Sequence, residues 1–342
     1  MNPDSPGPAD RGPRITSYDV ARQAGVSQSA VSRAFRAGAS ISADLRARVE
    51  AAADALGYAP SNIARTLNTQ RSQTIGVLIT EMTTRNYPDI LFHLGREIQA
   101  SGNRMLVFTQ PTDMVEPRVI ADLHACHVDG AISCATIPPD LLEATRRRHL
   151  PVVLYNRVPR GPRVAAVGCD HVTGMQDLAE HLHRGGTRDV AFLAGPEGAP
   201  VSDDRLRAAR AALAEHAITL RPPLNADYSF AGGRAAARAL LAGRRRPDAI
   251  LCANDAMALG VMDALRYDLG LSVPGDVAVA GFDDIPQAAW PSYGLTTVGQ
   301  PVARMTRAAV RMLIEHIEGE NLASERRLMP ATLIVRGSTR PG

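Results

Sequence analysis

Before residue 60, apolar residues recur at helical spacing. Thr16-Ser17-Tyr18-Asp19 has the form of a capping box and opens a helix predicted to run to about Ala24. Gly25-Val26-Ser27 supplies a tight turn, and Ser27 can cap a second helix from Gln28 to about Phe35. Ser42 caps a third, on which Leu45, Val49, Ala52 and Leu56 recur until Gly57 stops it. Val20, Ala24, Val26 and Val31 are expected to close a small core against Leu45 and Val49. After Ser72 the rhythm changes. Mostly β-branched runs predict strands at Thr74–Ile79, Met105–Phe108, Gly130–Ser133, Val152–Tyr155, Val164–Val167, Val190–Leu193, Ala249–Cys252 and Val277–Ala280. Amphipathic stretches lie between most of them: Pro88–Ala100, Val172–His183, Arg205–His216, Phe230–Leu241 and Met257–Tyr267. This is the βαβα pattern of doubly wound parallel sheets. The 270 residues from 73 onward divide better into two such lobes than into one. A last helix, Pro301–Ile317, and a strand, Ala331–Val335, must return to lobes already begun, so the domains are discontinuous.

Composition narrows the function classes. At 45% hydrophobic and 21% charged, the 342 residues have the balance of a soluble globular protein. The first 14 residues, rich in Pro, Gly and Asp, read as a disordered arm and not as a signal peptide or membrane anchor. No run approaches the roughly 20 apolar residues of a membrane span. Cys126, Cys134, Cys169 and Cys252 form no CxxC pair, which suits reduced thiols in a cytoplasm. The chain has no lysine: all 38 basic residues are arginine, which removes P-loop and Schiff-base chemistry. GxGxxG, GxSxG and HExxH are absent too. Residues 1–73 carry nine Arg against six acids, whereas the remainder balances 29 against 29. A polyanion would therefore be met at the N-terminal end.

Asp19 to Phe35 reads as a helix-turn-helix, whose second helix offers its first residues to a DNA groove. Gln28, Ser29 and Arg33 lie there; Gln can bridge adenine, and Arg can fork onto guanine or hold a phosphate. An ordinary three-helix unit with solvated polar residues fits the same spacing. "ITSYDVARQAGVSQSAVSRAF", "ISADLRARVEAAADALGYAPSNIARTLNTQRSQTIGVLI", "DRLRAAR", "CANDAMALGVMDAL", "VAGFDD", "LTTVGQP" and "LIVRGST" then follow one another in an order that resembles the lactose-repressor family of bacterial regulators. The resemblance covers the chain after Arg14. One departure is Ser61, where the family usually has Asn.

The resemblance implies an all-α helix-turn-helix headpiece (15–60), a hinge helix and linker (61–72), and an α/β two-lobed core like periplasmic binding proteins (73–342). The expected lobes are about 73–168 with 302–330, and about 169–301 with 331–342. Tyr18 and Ser32 join Gln28, Ser29 and Arg33 as candidate DNA contacts, with Asn62, Ala64 and Leu67 on the hinge. The residue matching Leu67 is, in the family, an apolar wedge in the minor groove. Ligand contacts are expected from Tyr87, Asp170, Arg207, Tyr228, Asn254, Asp283 and Gln300, with Arg207 as the arginine that anchors the ligand. The implied partners are double-stranded DNA with a near-palindromic operator, a sugar or sugar-acid effector and a second copy of the chain; no cofactor or metal is implied. The rival readings are a sugar-binding receptor and a sugar-acting enzyme with a headpiece. His124, Cys126 and His127 read as structural, Arg146–Arg148 and 244–246 as solvated helix ends, and Trp290 as core.

Overall fold

The computed structural model describes residues 15–35, 39–59, 71–81, 83, 88–158, 164–243, 245–320 and 325–341. The chain divides into two compact units, Met1–Ser72 and Gln73–Gly342. Asn62, Ala64, Leu67, Tyr87 and the N-terminal arm lie outside the described residues.

The first unit holds α1 (Ser17–Ala24), α2 (Gln28–Ala34) and α3 (Ala43–Leu56). The Asp19 carboxylate accepts from the Thr16 backbone N–H at 3.0 Å and from its hydroxyl at 2.7 Å, which fixes the start of α1. Gly25, at φ +65°, ends it in a left-handed cap that few side chains tolerate. Ser27 and Ser42 accept from the backbone N–H three residues on, capping α2 and α3. Val20, Ala24, Val31, Ala34, Val49 and Ala53 close the core. Leu45 stays outside it; Ile41, ahead of the helix, packs there instead.

The second unit contains two sheets. The first, six-stranded and parallel throughout, comprises β1 (Thr74–Thr80), β2 (Arg104–Gln110), β3 (Gly130–Ser133), β4 (Val152–Tyr155), β5 (Ala165–Asp170) and β12 (Arg326–Pro330), in the order β12-β5-β4-β3-β1-β2. The second comprises β6 (Asp189–Ala194), β7 (Thr219–Leu220), β8 (Leu224–Asn225), β9 (Ala249–Cys252), β10 (Ala278–Asp283), β11 (Thr296–Gly299) and β13 (Thr332–Ile334). Its order is β13-β11-β10-β9-β6-β7, with β8 also on β6 and only β13 antiparallel. Strands such as β3, β4 and β6 are buried along their whole length, as apolar runs covered on both faces must be.

Eight α-helices are described in this unit: α4 (Pro88–Ala100), α5 (Pro117–Ala125), α6 (Pro139–Arg147), α7 (His171–Arg184), α8 (Pro200–Glu215), α9 (Phe230–Leu241), α10 (Asp255–Asp263) and α11 (Val302–Ile317). A π-helical turn, Ala264–Asp268, continues α10. The chain crosses between the sheets three times. It leaves the first after Asp170 to form α7, which packs on α8, β11 and β13. It returns after β11 through Gln300 to α11, which packs on α4 and β3–β5. It crosses again at Ala331, between β12 and β13. Trp290, expected in the core, is 52% exposed: it follows a short 3-10 turn at the rim of the second sheet, where Ala288 is the inward residue.

Candidate functional site

The headpiece buries Ala30, Val31 and Ala34 of α2 and leaves Gln28, Ser29, Ser32 and Arg33 exposed. At 100° per residue these four share one face of this two-turn helix, the geometry a groove-reading helix needs. Tyr18, on α1, is 69% exposed. The Gln28 side-chain amide donates to the Ser17 hydroxyl at 3.3 Å, which holds it beside α1. Two of the arginines behind the basic excess are used inside the unit. Arg46 donates to the Ala34 carbonyl and Arg48, at 2.8 Å, to that of Ala24, so both close helix C-termini.

In the second unit a cavity of about 340 Å³ opens between the two sheets, within the size range of small-molecule sites. It lies at the C-terminal ends of the strands, where parallel sheets bind ligands. The first sheet supplies Cys134, Tyr155, Asn156 and Arg157; the second supplies Arg205, Tyr228 and Asn254. Four residues here have positive φ: Asn156 (52°), Tyr228 (61°), Asp283 (123°) and Asp284 (59°). Strained non-glycine backbone gathered at one cleft is a mark of a functional site.

Arg205 is its structural centre. The side chain is 1% exposed and its guanidinium donates to Asp283 Oδ1 at 2.8 Å and to the Ala253 carbonyl. Its Cζ lies 3.9 Å from the Phe282 ring centroid, a cation–π contact. Gln300 donates to the same Asp283 oxygen at 2.8 Å and accepts from the Asn156 amide at 3.1 Å. Across the cleft Arg157 grips Asp113 with two prongs, Nη2 at 2.6 Å from Oδ1 and Nε at 2.9 Å from Oδ2. Asn254 caps α10, accepting from Met257 N–H at 3.0 Å, and donates to the Tyr228 carbonyl at 2.9 Å. Tyr228 can lie where it does because residue 195 is glycine: a Cβ there would sit 2.2 Å from the tyrosine ring.

The structure thus brings Tyr228, Asn254, Asp283 and Gln300 together, with Asp283 and Gln300 behind Arg205 rather than on the cavity wall. It does not bring Arg207 to them. Arg207 is 54% exposed and paired with Asp204 at 2.9 Å on the flank of α8. Two residues along a helix are turned by about 200°, so only one of the two arginines can face the cleft, and it is Arg205. The spacing carried that signal: Ser202, Arg205, Ala208, Ala209 and Ala212 all fall on the buried face of α8. Asp170 is the N-cap of α7, accepting from Val172 N–H and the Thr173 hydroxyl, and lies in a neighbouring recess with Arg207. Asp255 is walled in behind the site, accepting from Thr297 at 2.6 Å and Ile285 N–H at 2.9 Å; burial, then the nearby Asp283 charge, push its carboxyl up to about 7. Asp284 braces Arg336 at 2.7 Å. Arg157, Asp113, Asn156 and Tyr155 were not singled out from the sequence, because partners 44 positions apart leave no local pattern. Among the described residues no group of His, Cys, Asp or Glu could hold a metal ion, and no helix is long and apolar enough to cross a membrane.

Comparison with known proteins adds the following. Residues 16–61 match the family described as bacterial regulatory proteins, lacI family, and residues 179–339 match a periplasmic binding protein-like domain. The chain is 31% identical over 331 residues to the HTH-type transcriptional repressor CytR of Escherichia coli (strain K12), covering 95% of this chain and 96% of that protein. It is 32% identical over 328 residues to the ribose operon repressor of the same strain, covering 94% and 99%. A solved Lac repressor dimer, bound to operator and the anti-inducer ONPF, superposes with a TM-score of 0.87 at 27% identity, over 95% of this chain and 99% of that one.

Proposed function

Because the chain belongs to the lacI family of bacterial regulatory proteins, we propose that it is a cytoplasmic repressor that binds a near-palindromic operator as a homodimer and responds to a sugar or sugar-derived metabolite. One observation carries this reading. A single chain joins an exposed groove-reading face at Gln28, Ser29, Ser32 and Arg33 to a cleft built around the buried Arg205. Tyr18 and the hinge residues Asn62, Ala64 and Leu67 extend the DNA contacts in this proposal. In the cleft, Arg205, Tyr228 and Asn254 touch the effector while Asp283 and Gln300 hold the arginine; Tyr87, outside the described residues, is a further candidate.

The reading is of a switch and not an enzyme. Burial pushes the Cys134 and Cys169 thiols up to about 12, far from a reactive thiolate. The Asp255 carboxyl is enclosed by its donors. A ligand between the lobes favours one lobe arrangement by its differential affinity, and the repressor's hold on DNA follows that equilibrium. The test is operator binding by fluorescence anisotropy, with operators selected from a random pool, in the presence and absence of sugars and nucleosides. Specific binding that one of these compounds shifts supports the proposal. Binding with no base preference, or turnover of a compound in place of a shift, overturns it.

A further inference from the structure

The cleft separates its charged groups from its neutral ones. Both guanidinium groups on its wall are matched by carboxylates, Arg157 by Asp113 and Arg205 by Asp283, and the arginine side chains are 14% and 1% exposed. The remaining described charge on the wall is the exposed carboxylate of Glu197. Counting Asp283 behind Arg205, the described groups leave the cleft one negative charge. An anion entering it would gain no unbalanced cation and would have to displace a two-pronged carboxylate from Arg157.

The neutral groups are mostly engaged as well. Thr83 bonds Thr80 at 2.9 Å, Thr112 donates to the Met114 carbonyl at 3.2 Å, and Thr136 donates to Asp113 at 3.0 Å. The Asn254 side chain serves α10 with its oxygen and the Tyr228 carbonyl with one of its two amide hydrogens, leaving the other for a ligand. Tyr155 differs. It ends β4 on the cavity wall and is 1% exposed, yet its phenol oxygen has no hydrogen-bond partner among the described residues. A buried hydroxyl left in this way costs free energy, and a ligand that brings a partner recovers it. Burial, reinforced by Cys134 and Cys169, holds this phenol well above its ordinary range, so it meets the ligand as a neutral donor and acceptor.

We infer that the effector is an uncharged, hydroxyl- or carbonyl-bearing molecule and that the Tyr155 phenol is the specificity-determining group that reads one of those oxygens. This rests on the cleft assigned under the proposed function and narrows its ligand. Sugar acids and phosphorylated sugars are excluded by the pairing of both arginines. A site built to hydrogen-bond a hydroxyl also rejects an analogue that lacks it.

The experiment uses the full-length protein. Ribose, glucose, cellobiose and cytidine are each compared, by thermal shift and calorimetry, with ribose 5-phosphate, gluconate, glucose 6-phosphate, cellobionate and cytidine 5′-monophosphate. A neutral member is expected to raise the melting temperature, its anionic counterpart to bind at least about tenfold more weakly. Tyr155→Phe is then expected to weaken the neutral binder about five- to tenfold while the unliganded melting temperature stays level or rises, because the orphan hydroxyl is gone. An anion that binds as well as its neutral counterpart, no binding by any neutral member, or unchanged affinity in Tyr155→Phe overturns the inference. Asn254→Ala keeps the two readings apart. If it abolishes binding while Tyr155→Phe leaves affinity unchanged, only the role of Tyr155 fails; if neither variant alters binding, the cleft itself is misassigned.

Discussion

The side-chain amide of Asn156 donates to Gln300 Oε1 at 3.1 Å, across the boundary between the two lobes. Asn156 follows β4 of the first sheet, and Gln300 follows β11 of the second, on the strand that carries the chain back to α11. Through its other end Gln300 holds Asp283, and Asp283 holds Arg205. A ligand that pulls on Arg205 therefore acts on a relay ending in the opposite lobe.

Gln300→Leu cuts that relay without touching the cavity wall. It is expected to leave ligand affinity within about a factor of three and to change the ligand's effect on operator affinity by about 0.5–2 kcal/mol. Operator titrations with and without saturating ligand measure this coupling directly. An unaltered coupling free energy would mean that closure is transmitted by other crossings, such as the one at Ala331.

Arg205 and Arg207 should part company on mutation. Arg205→Met leaves the Asp283 carboxylate buried without its cation, at a cost of about 3–5 kcal/mol. Arg207→Ala removes an exposed pair and should stay within about 0.5 kcal/mol of wild type, with ligand response intact. The double variant Arg205→Met/Asp283→Leu removes both charges and is expected to recover much of the stability while remaining unresponsive to ligand. Denaturant melts and ligand titrations on the three proteins decide. Loss of ligand response in Arg207→Ala would return that residue to the binding set.

The contrast between those two arginines shows where the sequence was legible and where it was not. Strands such as β3, β4 and β9 could be bounded within a residue because their apolar runs end in turn formers. The two-lobed α/β class followed from the same alternation. β12 was not anticipated: Arg326, Arg327 and Pro330 make a polar edge strand with an exposed Leu328, and only its pairing with β5 identifies it. β13 was anticipated as the strand at Ala331–Val335, but its antiparallel pairing with β11 and the π turn after α10 depend on tertiary contacts. In the site, a motif such as "DRLRAAR" says that an arginine matters but not which one faces inward. Helical phase supplies that, and the buried alanines of α8 were there to be counted. Tyr155 and the Arg157–Asp113 pair depend on strands meeting in space, which no local spacing records.

In the headpiece, base reading and folding should separate. Gln28→Ala is expected to relax preference at one operator position, by about 1–3 kcal/mol if its amide makes a bidentate contact, with no loss of helix content. Arg48→Ala should instead destabilise the headpiece by about 1–3 kcal/mol, the scale of a hydrogen bond from a charged donor, and leave the base preferences of the folded fraction unchanged. Selection from a randomised operator pool, with circular dichroism on the same preparations, tests both. Identical selected sequences for wild type and Gln28→Ala would take Gln28 off the reading face.

His171 gives the core a pH dependence whose sign can be worked out. Its ring makes a T-shaped contact with Phe282, centroids 5.3 Å apart, the same ring that the Arg205 guanidinium covers. Burial, and secondarily the Arg205 charge, lower its value from 6.5 to about 3, so the folded protein keeps the imidazole neutral at every pH above that. The unfolded chain takes up the proton near 6.5. The fold refuses it, so His171's contribution is whole above that pH and is lost as the pH falls towards 3. Asp255 acts in the opposite sense: its carboxyl, raised to about 7, contributes stability that is lost as the pH rises through that value. The two are separated by mutation, because Asp255 is common to both proteins when wild type is compared with His171→Leu. The variant's melting temperature is expected to fall less than that of wild type between pH 7.5 and about 5, with the gap widening steadily below 6.5. Thermal melts across that range measure it. Parallel curves would show that His171 is protonated within the fold, and that its place against Phe282 does not exclude the charge.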